Sequence, residues 1–165
     1  MKEVPADRII SDEEYRVHQH WMQRALAMAR QGGELTEIPV GAVLVDAEGQ
    51  LVAAACNRKQ REQDPTAHAE MQVIRAAARQ LNSWRLLEHT LYVTLEPCPM
   101  CAGALVHARL KRLVYGASDF KTGAVRSVLN IPDSKASNHR LSVIGGVEEA
   151  ACSELLKSWF ARRRQ

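Results

Sequence analysis

The sequence predicts an α/β protein in which a five-stranded sheet, opening with an antiparallel hairpin, is covered by helices. Three observations predict it. Short β-branched and apolar runs recur along the chain, segments with helical apolar spacing alternate with them, and turn residues punctuate both. No internal repeat, low-complexity tract or linker interrupts the 165 residues, so residues 1–165 read as one domain.

The elements follow in order. Ser11 with Glu14 three residues on makes a capping-box start, after which Tyr15, His18, Met22, Ala25, Leu26 and Ala29 recur at helical spacing until Gly32-Gly33. Val40 to Ala47 and Leu51 to Cys56 flank a Glu48-Gly49 turn and read as a hairpin. Thr66 to Leu81 follows Asp64-Pro65 and is alanine-rich, so it reads as a helix. Thr90 to Leu95 alternates like a strand and ends at Glu96-Pro97. Pro99 then opens a helix to about His107, a position where proline is tolerated. Arg112 to Gly116 and Leu141 to Ile144 are two further strands. Ala117 to Arg140 between them is a Gly-, Ser-, Asn- and Asp-rich loop with a short helix near Val125 to Leu129. Glu148 to Arg163 closes the chain as a helix whose acids stand at its start and arginines at its end, matching the macrodipole.

Composition narrows the function. With 46% hydrophobic and 25% charged residues the chain is not disordered, and a chain of this length buries a core without disulfide staples. No apolar stretch approaches the roughly 20 residues that span a bilayer. Met1 to Ile10 carries acids and lacks an apolar signal core. A soluble, cytoplasmic protein is the expectation. The net charge of +3 is unevenly distributed. Residues 1–104 hold 11 Lys/Arg against 14 Asp/Glu, and residues 105–165 hold 11 against 5. A basic late half suits a polyanion, nucleic acid before membrane. Its phosphate-binding candidates are Lys111, Arg112, Lys121, Arg126, Lys135, Arg140, Arg162, Arg163 and Arg164, of which about half should be simple surface charges.

Two segments carry chemistry: Thr66-Ala67-His68-Ala69-Glu70 at a helix start, and Pro97-Cys98-Pro99-Met100-Cys101 where a strand turns into a helix. One imidazole and two thiolates suit Zn²⁺ and leave a fourth tetrahedral position for water. No fourth ligand lies at customary spacing, which favours an open, catalytic site. Helix N-termini lower thiol pKa values. Two residues along a helix is about 200°, so His68 and Glu70 would not project together, and Glu70 suits an acid/base better than a ligand. Cys98 and Cys101 alone would equally fit a redox dithiol. A non-catalytic RNA-binding module with a structural zinc would not need Glu70. Cys56 and Cys152 read as buried free thiols, and Trp21 and Trp159 as core.

H-x-E followed thirty residues later by P-C-x-x-C is the zinc-deaminase signature. With it, the sequence resembles the cytidine-deaminase-like superfamily, and within it the bacterial tRNA-specific adenosine deaminases. The resemblance runs through Trp21-Met22, Pro39 to Val43, Asn57, Asp64 to Glu70, Leu95 to Cys101, Lys121 to Ala124, Asn138-His139 and Phe160 to Arg164. It implies a three-layer sandwich with a central mixed five-stranded β-sheet flanked by helices. It implies a homodimer with one Zn²⁺ per subunit on His68, Cys98 and Cys101, and Glu70 as proton shuttle. Substrate contacts are implied at Asn57, Glu96, His107, Ala108, Arg109, Asp119 and Lys121. The implied reaction is conversion of the wobble adenosine of a tRNA anticodon loop to inosine. A zinc deaminase of free guanine, cytosine or a small nucleoside would share the same metal motifs. The chain differs from the common pattern at Ala53 to Cys56, at Phe120 and at Arg126.

Overall fold

A computed structural model describes residues 10–164; most of the Met1 to Ile10 segment lies outside the described residues. Helix α1 spans Asp12–Glu34, with Ser11 as N-cap accepting a hydrogen bond from the Glu14 amide at 3.1 Å. Strands β1 (Gly41–Val45) and β2 (Leu51–Cys56) form the hairpin, followed by a short α2 (Lys59–Glu62) and α3 (Ala69–Gln80). Then come β3 (Thr90–Leu95), α4 (Pro99–His107), β4 (Arg112–Ala117), β5 (Ser142–Ile144) and α5 (Glu149–Arg163). The sheet order is β2-β1-β3-β4-β5, antiparallel on both sides of β1 and parallel from β3 to β5.

Alternation along the central strands feeds two cores. Leu44, Leu91, Val93 and Leu113 face α3 and α4, packing on Val73, Ala77, Ala102 and Leu105. Val43, Val45, Tyr92 and Val114 face α1 and α5, packing on Met22, Ala25, Leu26 and Cys152. Every residue of β1 is therefore buried, as expected of a strand covered on both faces. The result is the three-layer sandwich that the resemblance implies. Gly41 lets α1 lie close on β1, because a Cβ there would sit 2.1 Å from the Ala25 carbonyl oxygen. Among the described residues no helix is long and apolar enough to cross a membrane.

Three local expectations change. The helix expected from Thr66 begins at Ala69, because Asp64 Oδ1 accepts from both the amide and the hydroxyl of Thr66 and holds that stretch as a turn. Helix α2 was not expected at all. The Val125–Leu129 helix does not form: the amides of Val125, Arg126 and Ser127 donate to the Glu96 carboxylate, and the segment stays a series of turns.

Candidate active site

The ends of β2, β3 and β4 and the start of β1 meet at one edge of the sheet, and the N-termini of α3 and α4 point to the same place. Open α/β sheets bind ligands in such a crevice beyond their strand ends. A cleft of about 270 Å³ lies there, lined by Ile38, Val40, Asn57, Lys59, His68, Ala69, Glu70, Leu95, Glu96, Cys98, Asp119 and Thr122.

His68 is the N-cap of α3 and Cys98 the N-cap of α4, and neither helix uses its cap side chain to close its own amides. Both side chains are left to face each other. The Sγ atoms of Cys98 and Cys101 each lie 3.6 Å from His68 Nδ1. Tetrahedral zinc, at about 2.3 Å to sulfur and 2.0–2.1 Å to nitrogen, requires about 3.5 Å between such donors. The three ligand atoms lie within 4.8 Å of one another, the only such His/Cys/Asp/Glu group among the described residues. The donor set fits a borderline-soft, four-coordinate ion with one position left open.

The three donors set one another's protonation. The Cys98 thiolate accepts hydrogen bonds from the Cys101 thiol and from His68, which bring its pKa down to about 4. The hydrogen bond to Cys98, then burial, push the Cys101 thiol up, and the hydrogen bond to Cys98 raises His68. A cation in their midst displaces the remaining protons.

Glu70 occupies the first turn of α3 and is 4% exposed. Burial pushes its carboxyl up to about 7, against the pull of its own backbone amide and His68. His68 precedes the helix in extended conformation, so the 200° helical separation from Glu70 does not apply. Both line the same cleft, and Glu70 remains outside the three-ligand group. A carboxyl poised near neutrality beside an open metal position can accept and return a proton.

Two buried acids shape the surroundings, and neither role was visible in the sequence. Glu37, with no exposed surface, accepts from the Asn57 side-chain amide at 3.3 Å and from the amides of Gln60 and Arg61 at 3.2 and 2.8 Å. It fixes the Asn57 amide at the cleft wall and caps α2. Glu96, implied as a substrate contact, has its carboxylate turned to the loop. It accepts from the amides of Asp119, Arg126 and Ser127 at 3.0, 2.9 and 2.9 Å and from the Ser127 hydroxyl. Burial raises its pKa, but the hydrogen bonds from Ser127, Asp119 and Arg126 outweigh that and leave it lowered. A lone acid carries no periodic signal, so only the fold reveals these partnerships.

Asp119 lines the cleft with its carboxylate engaged by the Lys121 and Thr122 amides and the Thr122 hydroxyl. Lys121 is exposed beside it. His107, Ala108 and Arg109 stand at the opposite end of α4 from Cys98 and do not line this cleft. There Ala108 accepts from the Leu86 amide and Arg109 donates to the Asn138 carbonyl at 2.8 Å. Of the basic candidates, Lys111, Arg112 and Arg140 pair with Glu88, Glu14 and Asp133. Arg162 and Arg163 line a separate cavity of about 430 Å³ with Arg30 and Trp159.

Comparison with known proteins agrees with this geometry. The family model for MafB19-like deaminases matches residues 16–164. The chain is 49% identical to the tRNA-specific adenosine deaminase of Haemophilus influenzae over 144 residues, covering 87% of this chain and 83% of that one. It is 43% identical to the Bacillus subtilis tRNA-specific adenosine deaminase, covering 88% and 89%. A solved structure from work on A-to-I editing by tRNA:A34 deaminases superposes with a TM-score of 0.81 at 46% identity, covering 83% of this chain and 99% of that one. A guanine deaminase from Nitrosomonas europaea superposes at 0.72 with 22% identity over 98% of each chain, a likeness of fold alone. By the family model over residues 16–164 and by these relatives, the chain belongs to the tRNA-specific adenosine deaminases within the deaminase superfamily.

Proposed function

We propose that the chain is a single-domain, cytoplasmic zinc enzyme that converts the wobble adenosine of a tRNA anticodon loop to inosine. The carrying observation is the juxtaposition of the His68, Cys98 and Cys101 donors with a buried Glu70 held near neutrality, in one cleft. His68, Cys98 and Cys101 would hold one Zn²⁺ per subunit, which would supply the Lewis acidity that brings the pKa of a water toward 7. Glu70 takes one proton of that water and delivers it to the adenine ring nitrogen as the oxygen adds to C6. The same carboxylate then takes the hydroxyl proton of the C6 adduct and passes it to the amine, so the C6–N bond breaks, ammonia leaves and the base becomes hypoxanthine. The carboxyl ends the cycle as it began, and its pKa near 7 suits both directions of transfer.

The other residues bind and orient. Asn57, fixed by Glu37, presents its amide to the base or ribose. Asp119 shapes the far wall, Lys121 meets backbone phosphate, and Glu96 acts through the loop it holds. His107, Ala108 and Arg109 reach substrate across a homodimer, from one protomer to the cleft of its partner. Anticodon loops already splay their bases, which lowers the cost of taking one out of the stack.

Purified protein incubated with an anticodon stem-loop carrying a wobble adenosine, and separately with free guanine, cytosine and adenosine, tests the reading. Inosine in the RNA with no ammonia from the free compounds supports it. Ammonia from guanine or cytosine and none from the RNA would make it a small-molecule deaminase.

A further inference from the structure

At about 270 Å³, the cleft lies below the roughly 300–1,000 Å³ of most small-ligand sites. It has room for a base, and in the deaminase reading the nucleotides on either side would lie along its rim. The rim carries an aromatic residue that neither the core nor the mechanism uses. Phe120 is 82% exposed, the most exposed large apolar side chain among the described residues. It stands between Asp119 and Lys121 on a turn whose flanking residues Asp119 and Thr122 both line the cleft.

Scattered exposed apolar residues are ordinary, so exposure alone decides nothing. The support beneath this one is different. Asp119 closes the turn through the amides of Lys121 and Thr122, at 2.9 and 3.0 Å, and through the Thr122 hydroxyl at 2.6 Å. Glu96, 2% exposed, binds the turn from below through the Asp119 amide. Gly123 completes it, since a Cβ there would lie 2.4 Å from the Asp119 carbonyl oxygen and 2.5 Å from Glu96 Cδ. Phe120 thus stands exposed on a fixed turn of which Asp119 and Thr122 line the cleft, with the exposed Lys121 next to it.

We infer that Phe120 is a stacking platform for a nucleobase flanking the edited adenosine, with Lys121 meeting the phosphate beside that base. The inference rests on the deaminase reading above and adds a recognition element outside the reacting cleft. Stacking on an aromatic face tolerates any base, so Phe120 contributes affinity and aligns the strand without reading sequence.

Stem-loop RNAs with 2-aminopurine on the 5′ or the 3′ side of the edited position are the probe, titrated against protein carrying Glu70→Ala to prevent turnover. In that background Phe120→Ala should weaken binding by roughly 5- to 150-fold, the range that one base–aromatic stack supports. Phe120→Trp should retain binding, and Phe120→Leu, apolar but without a ring, should behave like alanine. Protein with Phe120 should quench one of the two 2-aminopurine positions, and Phe120→Ala should abolish that quenching. With Glu70 present, Phe120→Ala should raise KM for the stem-loop and leave kcat nearly unchanged.

If the protein with Phe120 edits the stem-loop while Phe120→Ala binds and edits it equally well, the platform is refuted and the deaminase reading stands. Loss of the dimer in Phe120→Ala would also refute it, by assigning the ring to a second copy of the chain. Absence of inosine with the unaltered protein would overturn both.

Discussion

Glu37 shows how one buried acid can set the geometry of a site it does not line. Its two oxygens receive three donors, including the Asn57 side-chain amide, with no exposure to water. Glu37→Gln keeps the shape but turns an amide NH2, itself a donor, toward those donors. The cost should be about 1–3 kcal/mol for poorly satisfied buried groups, read in urea unfolding. KM should rise as the Asn57 amide loses its anchor, while zinc content stays at one per subunit. His18 offers a pH test. It is 3% exposed, hydrogen-bonded through Nδ1 to the Tyr92 hydroxyl at 2.9 Å, and Nε2 has no hydrogen-bond partner. Burial, then the Arg112 charge, lowers its pKa from 6.5, with Glu14 at 3.7 Å opposing. Below 6.5 the unfolded chain therefore binds a proton that the folded one resists. Stability linked to His18 is fully present above 6.5 and is lost as pH falls below it. The stability difference between the protein and His18→Leu should be flat from pH 8 to 7 and shift in favour of the variant toward pH 5. A difference independent of pH over that whole range would refute this.

At the scale of elements, legibility followed the kind of signal each segment carries. The strand Thr90–Leu95, the helix opened by Pro99 and the Ser11 cap emerge where the residues alone place them, because alternation, proline and capping are local rules. The start of α3 does not, because Asp64 and Thr66 bind each other before the helix can take them. That three-residue shift also moved His68 out of the helix and beside Glu70. The grouping of His68, Cys98 and Cys101 was legible from residue type and spacing, and the fold brings their donor atoms within 4.8 Å of one another. The loop from Asp119 to Ser127 was not, since its conformation is imposed by Glu96, 23 to 31 residues away. Gly123 is the sensitive point of that loop. Gly123→Ala should cost about 1–3 kcal/mol through overpacking against Asp119 and Glu96. It should also raise proteolytic cleavage within residues 119–127, measured by limited digestion, with the zinc site still loaded.

For the whole molecule, the sheet gathers four strand ends and two helix N-termini at one edge, while the later half of the chain supplies the positive charge. Because Lys111, Arg112 and Arg140 are paired within the fold, fewer cations reach phosphate than the +6 balance of residues 105–165 suggests. Log Kd for the stem-loop should rise linearly with log salt, with a slope reporting a handful of phosphate contacts at about 0.7 per contact on a single strand. Arg162→Ala should lower that slope by roughly one contact. A salt-independent Kd would remove the electrostatic part of the account.

In the proposed reaction Glu70 moves the protons while His68, Cys98 and Cys101 hold the metal. The most direct measurement is inosine mapping on the anticodon stem-loop with the unaltered protein and with Glu70→Ala, each assayed for zinc. Wobble inosine is expected from the first, a loss of at least about a hundredfold in the second, and one zinc per subunit in both. Full turnover in Glu70→Ala, or zinc absent from it, would overturn the role given to Glu70.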